Sequence, residues 1–206
     1  PVTDKDESLS VAQDIKALAK EMSEGKVETL IMLGGNPVYD APSDVKFAEA
    51  LAKVPNSIHL SSHVDETSRL CTWHVPRAHE LESWGDLRAM NGTLAIQQPL
   101  IQPLHASRGD LYVLGKLSCE ASTKPLDIVK ATMRIEIGGL GDFEKAWNLA
   151  LKRGVVLDSV VRPFGGLPAR YADVAASFTK AKPAAAEGIE VTFAPCAKLF
   201  DGRHAN

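Results

Sequence analysis

The sequence predicts an α/β fold with a parallel sheet. Three observations lead to this prediction: apolar residues recur at helical spacing in several segments, short continuous apolar runs lie between those segments, and glycine or proline closes most of the runs. Helices and buried strands that alternate along a chain form parallel strands joined by right-handed crossovers. With 206 residues, 45% of them hydrophobic, the chain is long enough to bury a core.

The first helix is predicted to begin after Ser8 or Ser10 and to end before Gly25, because its apolar residues are spaced three and four apart. Residues 30–33 (Leu-Ile-Met-Leu) form a continuous apolar run that glycine stops. A run of this kind predicts a strand buried on both faces, as in parallel sheets.

The same alternation continues to residue 76. Ser43 is predicted to cap a second helix that ends before Pro55, and residues 57–60 predict the next strand. A short helix over 66–71 and a third strand over 73–75 follow. Together these elements predict a Rossmann-like, three-layer α/β/α domain over residues 8–105.

The second half is predicted to be a helical and irregular extension. Periodicity fades over 77–104, and a long irregular segment of this kind usually binds something or packs on another domain. Helical patterns return further along, and residues 106–188 are predicted to be a helical extension and linker, with 189–206 beginning a further segment. The helices are predicted at 107–117, 126–134 and 142–153, a linker at 179–188, and a strand at 189–194.

Composition excludes several classes of function. A net charge of −3 without a basic cluster argues against a nucleic-acid partner, and no apolar run is long enough to span a membrane. Three cysteines cannot build a disulfide framework. The sequence opens at Pro1 without a leader and stops in a polar stretch at Asn206, so we expect a piece excised from a longer chain, with removal of an initiator Met as the alternative explanation for Pro1.

The turn over residues 34–37 (Gly-Gly-Asn-Pro) is the main candidate for a binding site. It follows a predicted parallel strand and precedes a helix, which is where ligands bind in open α/β sheets. Glycine lets a phosphate or a base approach the backbone closely. The G-x-G-x-x-G spacing of a dinucleotide site is absent, so a plain tight turn is the alternative.

Two other groups of residues are weaker candidates. Cys71, His74 and His79 lie at C-x-x-H-x4-H spacing, but an extended segment around His74 would place Cys71 and His74 on different faces, so we predict no metal site. The carboxylates Glu80, Glu82 and Asp86 lie in a polar segment and are expected to be solvated or capping. No catalytic residue is predicted in this chain.

Several stretches, taken together, resemble molybdopterin oxidoreductases of the dimethyl sulfoxide reductase superfamily. Residues 33–37 resemble the strand-to-loop "GxNP" of that superfamily's third domain, residues 65–76 its "ET…AD-VLP" helix and strand, and Glu82 with 91–93 its "E…dGT" loop. The amino-acid sequence of residues 34–42, 79–86 and 98–104 most resembles that of the large iron–sulfur subunit of alternative complex III-type quinol oxidoreductases.

The resemblance implies an electron-transfer subunit, linked to quinol, in a bacterial membrane-associated complex on the periplasmic side. Its partners would be other domains of the same chain and other subunits. A lobe of this kind helps to hold a molybdopterin guanine dinucleotide, while the iron–sulfur clusters belong to other domains, so the chain alone is expected to bind neither cofactor and to have no activity. Carried over to this sequence, the residues facing the nucleotide are Gly34, Gly35, Asn36, Pro37, Asp65, Glu66 and Thr67.

One departure from the family pattern supports an alternative. Trp73 lies where the family commonly has aspartate near this strand, and it could fill space that a cofactor would use. The branch that the sequence resembles most also looks like a superfamily member that has lost its molybdenum cofactor. The chain would then be a non-catalytic scaffold with a vestigial crevice that packs on partner subunits. A third interpretation is a free-standing nucleotide-binding module.

Overall fold

The computed structural model describes residues 11–119, 122–137 and 141–161, together with a few isolated positions beyond 170. The chain divides into a unit of residues 1–162 and a second unit of residues 163–206, and every element below belongs to the first. The predicted caps at Ser8 and Ser10, the linker at 179–188 and the strand at 189–194 fall outside these described ranges.

Helices and strands alternate through the first half of the described chain, and helices dominate the second half. The elements are α1 (Val11–Ser23), β1 (Thr29–Leu33), α2 (Pro37–Asp40), α3 (Phe47–Leu51), β2 (Asn56–Ser61), α4 (Glu66–Leu70), β3 (Trp73–Pro76), β4 (Gly85–Arg88), β5 (Leu94–Gln97), α5 (Asp110–Leu117), α6 (Pro125–Ile137) and α7 (Phe143–Arg153).

The predicted α/β fold with a parallel sheet is confirmed. Strands β1, β2 and β3 form a three-stranded sheet in that order, and both pairings are parallel. In this register, His59 of β2 lies between Met32 of β1 and His74 of β3. Because β2 is the central strand, its side chains are the most deeply buried in the sheet.

The prediction that residues 30–33 are buried on both faces is wrong. Their side chains are only half-buried, since among the described strands β1 pairs on one side alone and lies at the edge of the sheet. Leu30 and Met32 face the core formed by α1 and α3, whereas Ile31 and Leu33 point to the opposite face. The continuous apolar run identified a strand but not its place in the sheet.

The first apolar core lies between this sheet and the helices α1 and α3. We call residues 11–82 the α/β lobe. In its core, the fully buried Met22 of α1 packs against Phe47 and Leu51 of α3. The helix predicted from Ser43 is interrupted: a 3₁₀ turn (Ser43–Val45) comes first, and Lys46 at φ +50° separates it from α3. Ser43 is therefore not the cap of α3.

Short α2 follows directly after the glycine turn, where the sequence predicted only a turn. Proline suits the first position of a helix, because its ring fixes φ and its missing N–H would have no partner there. Pro37 could therefore have been recognised in the sequence as the first residue of a helix.

A β-hairpin lies within the segment that the sequence predicted to be irregular. Strands β4 and β5 pair in antiparallel fashion, and the turn between them contains Asn91 and Gly92, the latter at φ +88°. Leu94 and Ile96 face α6 and α7 and form a second apolar core with the buried residues of those two helices. We call residues 84–161 the hairpin lobe. The three helices predicted in this region are confirmed.

Aromatic side chains fill much of the second core. Trp147 of α7 is almost completely buried and stacks between Trp84 and Phe143, with ring centroids 6.4 and 6.2 Å away. The Asp142 side chain caps the N-terminus of α7, and Gly154 at φ +76° ends it. Each lobe therefore has an apolar core of its own.

Candidate functional site

A crevice opens at the carboxyl end of the parallel sheet. Ser62 and Arg77, which follow β2 and β3 directly, line a cavity of about 490 Å³ together with Trp84, Asp86 and Asp110. The cavity thus lies where the α/β lobe meets the hairpin lobe. Its volume is in the range of small-molecule and cofactor sites.

The glycine turn leaves β1 at the same end of the sheet. Gly34 and Gly35 both adopt positive φ, +77° and +73°, a conformation that other residues enter at a cost. The N–H of Gly34 donates to the carbonyl of Leu60 at 2.8 Å, which ties the turn to β2. A Cβ at Gly34 would lie 2.6 Å from Nη1 of Arg77, whereas a Cβ at Gly35 would meet open space.

Arg77 joins the two lobes at the crevice. Its Nε and Nη2 donate to the two carboxylate oxygens of Asp110 at 2.8 and 2.5 Å, and its Nη1 lies against Gly34. The hydrogen bonds that Arg77 donates to Asp110 raise the pKa of Arg77 above its already high ordinary value. A permanent cation therefore lies beside the glycine turn, in a geometry that the sequence alone did not identify.

Asn36 and Thr67 form a buried polar latch between the turn and α4. The amide oxygen of Asn36 accepts from the hydroxyl of Thr67 at 2.7 Å and from its backbone N–H at 3.2 Å. The Thr67 hydroxyl also accepts from the N–H of Val38 at 3.0 Å. The Asn36 amide nitrogen donates to Glu66 at 2.7 Å, and this bond lowers the pKa of Glu66.

The structure therefore brings the predicted site residues together, but most of their side chains bond to one another. Asp65 is occupied as the cap of α4, where it accepts from the N–H of Ser68 at 2.8 Å. Pro37 is the first residue of α2. Bonds within the protein already use the N–H of Gly34 and the carbonyl of Gly35, so the N–H groups of Gly35 and Asn36 and the carboxylate of Glu66 are the parts of the predicted set considered for a ligand. A contact between these residues and a cofactor stays a prediction.

His59 is a residue of the site that the sequence analysis missed. Its ring is fully buried, with Nδ1 2.8 Å from the hydroxyl of Ser68 and Nε2 3.0 Å from the carbonyl of Gly35. The indication available in the sequence was a single ionisable residue inside the strand predicted at 57–60. The signal for Arg77 was its position directly after a parallel strand.

The candidate metal ligands do not converge. His74 bonds to Ser68 through Nδ1, while His79 accepts from the N–H of Leu81 and caps a 3₁₀ turn (Glu80–Glu82). Burial raises the pKa of the Cys71 thiol, which favours its neutral form. Across the residues that the structure describes, no three His, Cys, Asp or Glu side chains are grouped so that they could hold a metal ion.

The three candidate carboxylates lie in different environments. Glu82 accepts from the backbone N–H groups of Leu104 and His79, which lowers its pKa. Asp86 is half-buried in the wall of the cavity, and burial raises its pKa. Glu80 also lines the cavity, so Glu80 and Asp86 are the two that a ligand in the crevice would meet.

Comparisons with known proteins agree with this fold. No family model matches the chain. The chain is 28% identical over 138 residues to the menaquinone reductase, molybdopterin-binding-like subunit, of Nitratidesulfovibrio vulgaris, a match that covers 61% of this chain and 20% of that protein. Its structure is similar to that of acetylene hydratase from Pelobacter acetylenicus, with a TM-score of 0.57 at 15% identity, over 73% of this chain and 22% of the other.

The two similarities support different statements, one about the fold and one about the sequence. The likeness to acetylene hydratase concerns the fold, and the likeness in sequence is to a molybdopterin-binding-like subunit of a menaquinone reductase. The chain spans about a fifth of the length of either protein. Within the described residues, no helix combines the length and the apolar character needed to cross a bilayer.

Proposed function

We propose that this chain forms one lobe of a molybdopterin-type oxidoreductase subunit that takes part in quinone-linked electron transfer. In this proposal, the crevice at the carboxyl end of the sheet holds the nucleotide part of a molybdopterin guanine dinucleotide. The observation that carries the proposal is the pairing of the glycine turn with Arg77 at that end of the sheet. The named relative, a molybdopterin-binding-like subunit of a menaquinone reductase, supports the cofactor class, the link to quinone and the presence of partner subunits.

The residues of the crevice fit the phosphate part of such a ligand. Arg77 is held in place by Asp110 through two of its nitrogens, so its third nitrogen is fixed beside the glycine turn without further loss of side-chain freedom. Because Gly34 has no side chain, the guanidinium can lie against the backbone where a Cβ would otherwise be. An oxygen of a phosphate that approached the turn would meet this cation.

The carboxylates in the cavity lining fit the base. Guanine presents N–H donors on its pairing edge, and a carboxylate is a suitable acceptor for them. Asp86 and Glu80 supply carboxylates to the same cavity as Arg77. A cavity with one cation and several acids fits a ligand that carries both an anion and an N–H edge better than it fits a simple anion.

The chain's own role in this proposal is to bind and orient. The bound cofactor would supply the redox chemistry through its molybdenum, and the residues described here would hold its nucleotide part between the two lobes. The Asn36–Thr67 latch would keep the turn and α4 together while the ligand binds. The remaining domains and the partner subunits would supply the electron path.

Binding of guanosine diphosphate to the full chain tests this proposal, with the fluorescence of Trp84 in the cavity wall as the signal. We expect binding with a dissociation constant of about 1 mM or below. Replacing Arg77 with glutamine removes a charged donor and should weaken binding at least about tenfold. The matched control is Arg88→Gln, which breaks the ion pair between Arg88 and Glu136, a pair of similar exposure that does not line this cavity.

Two outcomes would contradict the proposal. One is the absence of binding up to about 10 mM nucleotide, which corresponds to less than about 3 kcal/mol of binding free energy and would favour the scaffold alternative. The other is an equal loss of affinity in the Arg77 and Arg88 variants, because the loss would then come from weakened folding rather than from the crevice.

A further inference from the structure

His59 lies at the centre of the polar network behind the glycine turn. It is in the middle strand of the sheet, fully buried, and its side chain lies on the face that α4 covers. A buried imidazole needs partners for both ring nitrogens. Ser68 and the carbonyl of Gly35 are those partners, and the carboxylate of Asp65 lies 3.5 Å from Nδ1.

The chemistry of these partners fixes one proton on the ring. A carbonyl oxygen can only accept, so the contact of 3.0 Å between Nε2 and Gly35 requires the hydrogen on Nε2. In a neutral ring, Nδ1 then accepts from the hydroxyl of Ser68, and that hydroxyl accepts in turn from Nδ1 of His74 at 3.0 Å. A cationic ring would reverse the bond to Ser68 but would still donate from Nε2.

The bond from His59 determines how the next peptide is oriented. The carbonyl of Gly35 and the N–H of Asn36 belong to one planar trans peptide and point in opposite directions. Because His59 draws the carbonyl toward the buried side, the N–H of Asn36 points away from it. No hydrogen bond from this N–H is found among the backbone bonds of the described residues, and Asn36 as a whole is 8% exposed.

We propose that His59 is a positioning residue that holds the Gly35–Asn36 peptide so that the Asn36 N–H donates to an oxygen of the bound nucleotide. Ser68 and His74 hold the imidazole ring in the required orientation from the other side. This inference rests on the proposed function for the identity of the ligand, while the proton position and the orientation of the peptide can be tested without any ligand.

The first test is the proton position in the full chain, measured by ¹H–¹⁵N NMR of the imidazole. We expect a hydrogen on Nε2 that exchanges slowly, with a coupling to the carbonyl of Gly35 across the hydrogen bond. In a His59→Leu variant, the amide signals of Asn36 should shift while those of buried Ala19 in α1 stay in place. A ring protonated on Nδ1 alone, or an unchanged Asn36 signal in the variant, would overturn the proposal.

The second test is nucleotide affinity at matched stability. His59→Leu loses the donor and should weaken binding of guanosine diphosphate about tenfold, the effect of one hydrogen bond of roughly 1.4 kcal/mol. His59→Gln retains an N–H donor of similar reach and should stay within about threefold of the native chain.

The results separate the two proposals. Equal affinity in His59→Leu and the native chain would overturn the positioning role and leave the crevice intact. If the native chain does not bind the nucleotide although NMR shows the Nε2 proton and the shifted Asn36 signal, the proposed function fails while the positioning of the peptide stands. If His59→Leu does not fold, His59→Gln becomes the test. Loss of affinity in a folded His59→Gln variant would overturn the proposal.

Discussion

The two lobes bury different kinds of groups. The hairpin lobe encloses aliphatic and aromatic side chains around Trp147. The α/β lobe has an apolar core of similar kind around Met22, but at the carboxyl end of its sheet it also buries Asn36, His59 and Thr67. Buried polar groups cost free energy unless they are paired. The polar network therefore belongs to the lobe that carries the glycine turn, and the hairpin lobe contributes mainly a wall of the crevice.

The largest expected effect tests the apolar core of the hairpin lobe. Trp147→Ala should destabilise the chain by about 3–5 kcal/mol, because it removes a buried ring and leaves a cavity. Chemical denaturation measures this change. The matched control is Trp73→Ala, since Trp73 is 65% exposed and its loss should cost less than about 1 kcal/mol. Similar losses in the two variants would contradict the assignment of the core.

The polar latch of the α/β lobe should be the next most sensitive feature. Asn36→Ala leaves the hydroxyl and the N–H of Thr67 buried without their acceptor, which should cost about 1–3 kcal/mol. Asn56→Ala is the control, because the Asn56 side chain is exposed and makes one hydrogen bond, to the carbonyl of Glu28, so its loss should cost less than about 0.5 kcal/mol. Equal stabilities would show that the latch contributes nothing.

The two glycines of the turn should differ from each other. Alanine at either position enters the left-handed region, at a cost of about 1–2 kcal/mol. At Gly34 the added Cβ would also displace Arg77, whereas at Gly35 it meets open space. Gly34→Ala should therefore lower stability more than Gly35→Ala in the same denaturation experiment. The reverse order would contradict the contact with Arg77.

The smallest effect concerns pH. Burial raises the pKa of Asp86, so the folded chain holds this proton more tightly than the unfolded chain does. The contribution of protonated Asp86 to the free energy of unfolding is fully present below the pKa of about 4 that Asp has in the unfolded chain. It is lost as pH rises through the higher pKa that Asp86 has in the folded chain. Asp86→Asn should therefore be more stable than the native chain at pH 7, with a difference that shrinks toward pH 4.

A second carboxylate supplies a control of opposite sign. The ion pair with Lys16 lowers the pKa of Asp44, so its contribution is present above the unfolded pKa and is lost as pH falls through the folded pKa. Asp44→Asn should be slightly less stable than the native chain at pH 7. If both variants changed stability in the same direction at pH 7, burial would not be what distinguishes Asp86.

The accuracy of the sequence-based prediction also differs between the lobes. In the α/β lobe, periodicity and apolar runs predicted the sheet, α1 and α4, because these elements bury one face each and the pattern records that. The hairpin was missed since β4 and β5 have four residues each, too few for alternation to stand out. Asn91 and Gly92 were the available turn signal.

The site was predicted only in part for a related reason. Residues 34–37 and 65–67 were identified from local motifs, and the structure brings them together. Arg77, Asp110 and His59 reach the turn through tertiary contacts between residues 24 to 43 positions apart in sequence, and a local pattern does not record such contacts. The edge position of β1 was likewise hidden, because strand order depends on pairing rather than on composition.

The most direct test of the central claim is chemical-shift mapping of the full chain titrated with guanosine diphosphate. We expect the amide signals of Gly35, Asn36 and Ala78 to shift progressively and saturate, while those of Ala19 in α1 and Met133 in α6 do not move. Shifts confined to residues away from the carboxyl end of the sheet, or no shift at all, would contradict it.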